Sequence, residues 1–153
     1  MEAERRLAEI GLSIPELPAR GGNFLPTRRV GDLVYTAGNG PIRDGRTVYS
    51  GKLGTDLSVE DGYGAARLAA LNCLAAVKTA IGDLDRVKAI VKVSGFVNSA
   101  PDFVDQPLVL NGASDLLIDV FGDRGRHARC AVGMASLPRG MAVEVEMIVQ
   151  VTD

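Results

Sequence analysis

Histidine and cysteine are scarce in this chain of 153 residues, which has one histidine and two cysteines. Protein zinc sites draw most of their ligands from these two residue types, so the usual ligand sets cannot be assembled here. The two cysteines, Cys73 and Cys130, are also too few for a disulfide framework. We therefore expect no metal site in this protein.

Aromatic residues and an excess of charge of one sign are also lacking. Aromatic residues make up 5% of the chain, with no tryptophan, so the core has to be built from valine, leucine, isoleucine and alanine. The formal net charge of −2 provides no general positive field for a phosphate backbone. The composition therefore argues against nucleic-acid binding.

Long hydrophobic runs are missing as well, because no apolar run approaches the ~20 residues that a membrane span needs. The first residues, MEAERRLAEIGL, are too charged for the apolar part of a signal peptide. We therefore expect a cytoplasmic protein with no membrane association. The length predicts a single domain over residues 1–153, with residues 1–22 as an N-terminal extension, and the 46% hydrophobic content hints at an oligomer.

Apolar residues recur with two different periods along the chain, and this pattern predicts an α+β domain. One helix is predicted after Ser58, which has Asp61 three residues later as a capping box requires, and another after Asp105, with Pro107 in its first turn. Strands are predicted at 24–29, 33–37, 87–97, 127–134 and 141–151, helices at 58–81 and 105–121, a short helix within 1–12, and a tight hairpin at Asp44-Gly45. We expect one mixed β-sheet with both long helices on one face.

Two of these strands alternate between apolar and polar residues. In the strand at 87–97, the series Val87, Ala89, Val91 and Val93 is expected on the buried face. In the last strand, valine and methionine alternate with Glu144, Glu146 and Ile148, so two carboxylates share one face. Glu144 is the better candidate for a functional carboxylate, and Glu146 is expected to meet water or arginine partners.

A dense basic cluster, Arg124-Gly125-Arg126-His127-Ala128-Arg129, lies where the second long helix gives way to a strand. Arg124 and Arg126 are expected to be solvated surface residues. Arg129 differs because it lies inside a run that reads as strand, so its guanidinium must pair with another group or line a cavity. A guanidinium fork matches the geometry of a carboxylate, and Arg129 is therefore the candidate for binding a small carboxylate ligand.

Arg129 and Glu144 lie nine residues before and six residues after Pro138. If the last two strands pair as a hairpin around Leu137-Pro138-Arg139-Gly140, the two residues come within about three residues, roughly 10 Å, of each other along the sheet. A small ligand could then span them.

These residues resemble the late signature of the Rid family, also called YjgF or endoribonuclease L-PSP, in which a strand arginine precedes Leu-Pro and an alternating strand that contains glutamate. The corresponding segments here are Arg129-Cys130-Ala131-Val132, Leu137-Pro138 and Val143-Glu144-Val145-Glu146. The resemblance runs back through Tyr35-Thr36-Ala37-Gly38-Asn39, Asn72 and Asn111, and it covers about four-fifths of the chain. The N-terminal extension suggests a divergent branch of the family.

The resemblance implies a chorismate-mutase-like fold, a homotrimer and carboxylate-binding clefts between subunits. In such a cleft Arg129 would bind the substrate carboxylate, and Glu144 would position or deprotonate water. Gly38 and Asn39 would line the cleft, Asn111 would support it, and Ala131 would occupy the position where many members have a cysteine. The activity implied is hydrolysis of small enamine or imine acids such as 2-aminoacrylate to a keto acid and ammonium, which needs no cofactor because an imine is already electrophilic.

Two further functions remain open at this point. The cleft tyrosine and cysteine common in the family have no counterparts here, since Leu25-Pro26-Thr27-Arg28 stands near the first position and Ala131 at the second. A non-catalytic protein that binds small carboxylates or regulates a partner is therefore the alternative to an imine deaminase. A ribonuclease, which one family name implies, ranks last because the acidic chain offers no basic RNA track.

Overall fold

The computed structural model describes all residues, 1–153. Three α-helices and seven β-strands follow one another along the chain. They are α1 (Glu2–Glu9), β1 (Thr27–Val30), β2 (Leu33–Thr36), β3 (Ile42–Arg43), β4 (Arg46–Thr47), α2 (Val59–Ile81), β5 (Val87–Asn98), α3 (Gln106–Phe121), β6 (Ala128–Met134) and β7 (Val143–Val151). The predicted elements are all present, and the α+β prediction is confirmed.

Five strands form one mixed sheet in the order β1-β2-β7-β5-β6. Strands β5 and β6 are parallel, with α3 as the crossover, and the remaining pairs are antiparallel. The predicted hairpin between the last two strands is therefore wrong, because β5 lies between β6 and β7. Every second residue of β7, from Val143 to Val151, is buried, and a strand with such an apolar face gains most in the sheet interior between β2 and β5.

The long helices α2 and α3 cover one face of the sheet, as predicted. The capping box of α2 is present: the Ser58 side chain accepts from the Asp61 amide, and the Asp61 carboxylate accepts from the Ser58 amide. Buried alanines of α2 allow close packing against α3 and β7. The short helix α1 docks through its two buried residues, Ala3 and Leu7.

Helix α2 is long and apolar enough to cross a membrane by length and composition alone, although Arg67, Asn72 and Lys78 interrupt its apolar residues. The window that meets this test is 72% buried inside the domain, as expected for the core helix of a globular protein. Length and hydropathy alone are therefore weak evidence for a membrane span, and the burial of α2 favours a helix of the domain core.

The alternation predicted for β5 is broken by two irregularities in its pairing with β7, between Val87 and Ala89 and between Ile90 and Lys92. The buried face consequently carries Val87, Ile90 and Val93, whereas Val91 is 40% exposed. An extra residue at a bulge moves the side chains that follow it to the other face of the sheet. A prediction that assigns every second residue to the same face cannot detect such a bulge. The tight hairpin between β3 and β4 was predicted correctly, with positive φ at Asp44 and Gly45.

Candidate functional site

Arg129 lies on the edge strand β6, and its side chain points toward α3. Its Nη1 donates to the Asn111 Oδ1 at 3.0 Å and to the Ser114 Oγ at 3.1 Å, and its Nη2 donates to the Pro107 carbonyl at 3.2 Å. These three contacts fix the guanidinium plane, while Nε and one hydrogen of Nη2 remain without a partner. The free donors are available to a carboxylate at the edge of the sheet.

Two predicted site residues lie beside Arg129. Asn111, which the resemblance predicts as a supporting residue of the cleft, accepts a hydrogen bond from the guanidinium. Ala131 follows Arg129 on the same side of β6, whereas Cys130 is exposed on the opposite side. Ser114 also contacts His127 at 2.9 Å, and burial lowers the pKa of His127 below its usual range. The sequence placed His127 in the basic segment beside Arg129 but offered no signal for Ser114.

Arg124 and Arg126, the other arginines of the basic segment, have local roles. Arg124 donates to the Val87 carbonyl at 2.7 Å and lies over the ring of Phe121. Arg126 is exposed and pairs with Asp123 at 3.3 Å. Neither contacts the cluster around Arg129 through a hydrogen bond, in line with the expectation of ordinary surface residues.

Glu144 lies on the face of β7 that the helices leave open, and Glu146 shares that face, as predicted. Gly38 packs directly on the Glu144 carboxylate, because a Cβ at residue 38 would lie 2.5 Å from Oε1. Burial first, and then the negative charge of Glu146, raises the pKa of Glu144 above its ordinary value. No hydrogen bond counters this shift, so Glu144 is a half-buried carboxylate with no partner in the chain.

The loop from Gly38 to Ile42 is attached to β7 and α2 by polar contacts. The amide of Asn39 donates to the Val145 carbonyl at 2.8 Å, and the Val145 amide returns the bond at the same distance. The buried Asn72 of α2 donates through Nδ2 to the carbonyls of Gly40 and Ile42, both at 2.9 Å. Asn72 therefore positions the backbone that faces Glu144, a role that its family resemblance alone did not reveal.

A cleft of about 250 Å³ opens beside Glu144. Gly38, Asn39 and Glu144 line its floor, and the segment 17–24 together with Arg139 forms its walls. The predicted site residues on this side of the sheet are thus brought together. Closure of the cleft by the N-terminal segment was not predicted, because an irregular Pro- and Gly-containing connector carries no periodic signal for where it packs.

Arg129 and Glu144 are not brought together within one chain. Arg129 is in register with Val93, Glu144 is in register with Phe96, and β5 separates the two strands. Two strand spacings across and three residues along the sheet put their backbones on the order of 14 Å apart. Their side chains also lie on opposite faces, so the predicted single-chain span of about 10 Å is wrong.

Comparison with known proteins gives a consistent result. Residues 4–149 match the model of the YjgF/chorismate mutase-like family of proposed endoribonucleases. The chain belongs to this family. Protein TCP17 of Trypanosoma cruzi is 44% identical over 148 residues, which cover 96% of this chain and 92% of that protein.

Two crystal structures show how the fold relates to other members. Atu1372 from Agrobacterium tumefaciens superposes with a TM-score of 0.93 at 44% identity, covering 98% of this chain and 92% of that one. RidA from the Antarctic bacterium Psychrobacter sp. PAMC 21119 superposes with a TM-score of 0.61 at 25% identity, covering 89% and 94%. The Rid/YjgF assignment and the chorismate-mutase-like fold are confirmed.

Proposed function

We propose that this protein hydrolyses small enamine or imine acids, such as 2-aminoacrylate, to a keto acid and ammonium in a cleft between subunits. The observation that carries the proposal is that the chain presents two incomplete half-sites. One is an immobilised guanidinium with free donors at the sheet edge, and the other is a half-buried carboxylate without a partner in a cleft. An imino acid needs both groups, a cation for its carboxylate and a base for water.

The two half-sites face different directions, so the complete cleft requires a neighbouring chain. We propose a homotrimer in which Arg129 of one subunit meets the Glu144 cleft of the next. The open face of the sheet supports this assembly, because apolar groups on it are left uncovered in the single chain. These groups are Tyr35, Phe96, Cys130, Val132 and Ile148.

In the proposed reaction Arg129 holds the ligand carboxylate, and the imine carbon lies next to a water bound to Glu144. Glu144 takes a proton from the water as its oxygen forms a bond to the imine carbon, and the electron pair of the C=N bond moves to nitrogen. The proton then passes from Glu144 to nitrogen, which gives a carbinolamine. The hydroxyl proton of this intermediate moves to nitrogen as the C–N bond breaks, and the keto acid and ammonia leave, ammonia taking a proton from water to become ammonium. The raised pKa of Glu144 makes it a stronger base than an ordinary glutamate.

The deciding experiment generates 2-aminoacrylate enzymatically and follows pyruvate release. The Glu144→Gln variant should lose activity by about 10²- to 10⁴-fold, the usual contribution of a general base. Glu60→Gln, which changes an exposed glutamate at the start of α2, is the matched control and should keep wild-type activity. Equal pyruvate release by wild type and Glu144→Gln would overturn the mechanism.

A non-catalytic carboxylate-binding protein is the second candidate, and one observation favours it. Among the residues that line the Glu144 cleft there is no serine, threonine, tyrosine, cysteine or histidine to assist proton transfer. If binding is the function, calorimetry against keto acids should show an affinity that Arg129→Ala abolishes, with no turnover of any imine. Ribonuclease activity has less support, because the net charge of −2 offers no general attraction for RNA.

A further inference from the structure

The wall of the Glu144 cleft contains two arginines that the proposed reaction does not use. Arg20 belongs to the segment that leads from α1 to β1, and Arg139 follows Pro138 before β7. Both are exposed, and both line the cleft. The chain thus places two positive charges and one carboxylate around the same space.

Both side chains are held beside this space by contacts to the segment 20–24. Arg20 donates through Nη1 to the Phe24 carbonyl at 2.7 Å, which closes a small loop at the cleft mouth. Arg139 has a φ of 59°, in the left-handed region that residues other than glycine rarely adopt. Its Nη2 would lie 4.0 Å from a Cβ at residue 21, so the arginine reaches across to the segment that carries Arg20.

Neither arginine has an acidic partner. The ion pairs of the chain involve other cations, and the pKa of Glu144 is raised by burial and by Glu146 with no compensation from either guanidinium. Two unpaired guanidiniums at one cleft create a local positive potential that an anion would neutralise. The carboxylate of Glu144 does not pair with either guanidinium and so does not neutralise this potential.

We propose that Arg20 and Arg139 form a second anion subsite, so that the protein prefers ligands with two acidic groups. This inference rests on the proposed function, because the first carboxylate is held by Arg129 of the neighbouring subunit. The second acidic group lies between Arg20 and Arg139, with the reacting carbon near Glu144. A cleft of about 250 Å³ suits a short dicarboxylic imino acid and is smaller than the pockets of drug-sized ligands.

Calorimetry with two matched keto acids tests the subsite, namely 2-oxobutyrate with one carboxylate and 2-oxoglutarate with two. Wild type should bind 2-oxoglutarate about tenfold more tightly, since each charge-assisted contact contributes on this scale. The double variant Arg20→Gln/Arg139→Gln should remove this preference and leave 2-oxobutyrate affinity within about twofold of wild type. Arg46→Gln, at the exposed β3–β4 hairpin, is the matched control and should change neither affinity.

The outcomes separate this subsite from the proposed function. The subsite is overturned if wild type binds both acids with equal affinity, or if the double variant loses affinity for both acids equally. In either case, loss of affinity for both acids in Arg129→Gln still supports the main site. A dicarboxylate preference that the double variant removes but Arg129→Gln leaves intact supports the subsite and contradicts the Arg129 site. Failure of wild type to bind either acid overturns both.

Discussion

Arg129 and Glu144 project from opposite faces of the same sheet, with β5 between the strands that carry them. Arg129 is held against α3, and Glu144 lies under Gly38 on the open face. A small ligand therefore cannot contact both groups of one chain. If both act on one ligand, each site must combine Arg129 from one subunit with Glu144 from another.

Mixed trimers should recover activity that neither parent variant has. Arg129→Gln and Glu144→Gln chains, denatured together in equal amounts and refolded, form some interfaces with an intact arginine and an intact glutamate. For random assembly, about one quarter of the sites are intact, because each of the two residues is wild type in half of the chains. Pyruvate release from 2-aminoacrylate by the mixture should therefore approach one quarter of the wild-type rate.

The control for this experiment is each variant refolded alone, which should remain inactive. A mixture that stays as inactive as its parents, while native mass spectrometry shows mixed trimers, would place both residues in the same subunit and contradict the shared site.

The pH dependence of deamination should report the environment of Glu144. Only the deprotonated carboxylate can accept a proton from water, so the rate should fall as pH drops through a pKa raised above the ordinary 4.5. Glu146→Gln removes a negative neighbour and should move this acidic limb to lower pH, although burial keeps it above the ordinary value. The dependence of rate on pH, measured for wild type, Glu146→Gln and the control Glu60→Gln, checks this prediction. An acidic limb that stays at the same pH in Glu146→Gln would contradict it.

The same shift predicts the sign of a stability effect. A carboxyl group whose pKa is raised on folding favours the folded state when protonated, and this contribution is lost as pH rises through the folded-state pKa. Glu144→Gln, which resembles the protonated form, should therefore not destabilise the protein at neutral pH. Denaturant midpoints of wild type and Glu144→Gln at pH 7 check this prediction. Equal midpoints would show that the variant loses activity without losing its fold.

The fold could be predicted from local signals, whereas the site could be predicted only in part. Periodicity and capping residues such as Ser58 and Asp61 are encoded within a few neighbouring positions, and the helices formed where these signals placed them. Strand order depends on long-range competition for the sheet interior, so the position of β7 between β2 and β5 was missed. Arg129 and Glu144 were identified by residue type, but their separation depends on that strand order.

Asn72→Ala should weaken both stability and ligand binding. The substitution removes two hydrogen bonds to the loop carbonyls of Gly40 and Ile42, together worth about 1–3 kcal/mol. Its buried Oδ1 has no partner, which reduces the expected cost toward the lower end of that range. Urea unfolding measures the stability, and keto acid affinity measures the position of the Gly38 loop.

Thr79→Ala is the matched control for Asn72→Ala, because Thr79 lies on the same helix and bonds only to its own turn at Ala75. The control should leave ligand affinity unchanged. Equal effects of the two variants on keto acid binding would contradict a positioning role for Asn72.

Val132→Asp should dissociate the proposed trimer. Val132 is 41% exposed on the open face of the sheet, where a buried carboxylate at a subunit contact would lack a partner. Light scattering should show a folded protein with the mass of one chain. Val104→Asp, at a residue that is 76% exposed in a loop, should keep the wild-type mass. A trimer that persists in Val132→Asp would place the interface elsewhere.

Asp85 should make the stability of the docked N-terminus depend on acidic pH. Its carboxylate accepts from the amides of Glu2 at 2.7 Å and Ala3 at 2.9 Å and pairs with the terminal ammonium at 3.1 Å. These amide bonds, first that of Ala3, lower the pKa of Asp85 from 3.8 to about 2. Because the folded-state pKa is depressed, the stabilisation is present above the unfolded value of 3.8 and is lost as pH falls toward 2.

Asp85→Asn should therefore lower the melting temperature at pH 6, and the gap to wild type should narrow below pH 4 and close near pH 2. Circular dichroism melts across this range provide the measurement. Asp102→Asn, at an exposed residue before α3, should follow wild type throughout. A gap that stays constant down to pH 2 would contradict stabilisation by the Asp85 charge, because asparagine and the protonated acid are both neutral and have nearly the same shape.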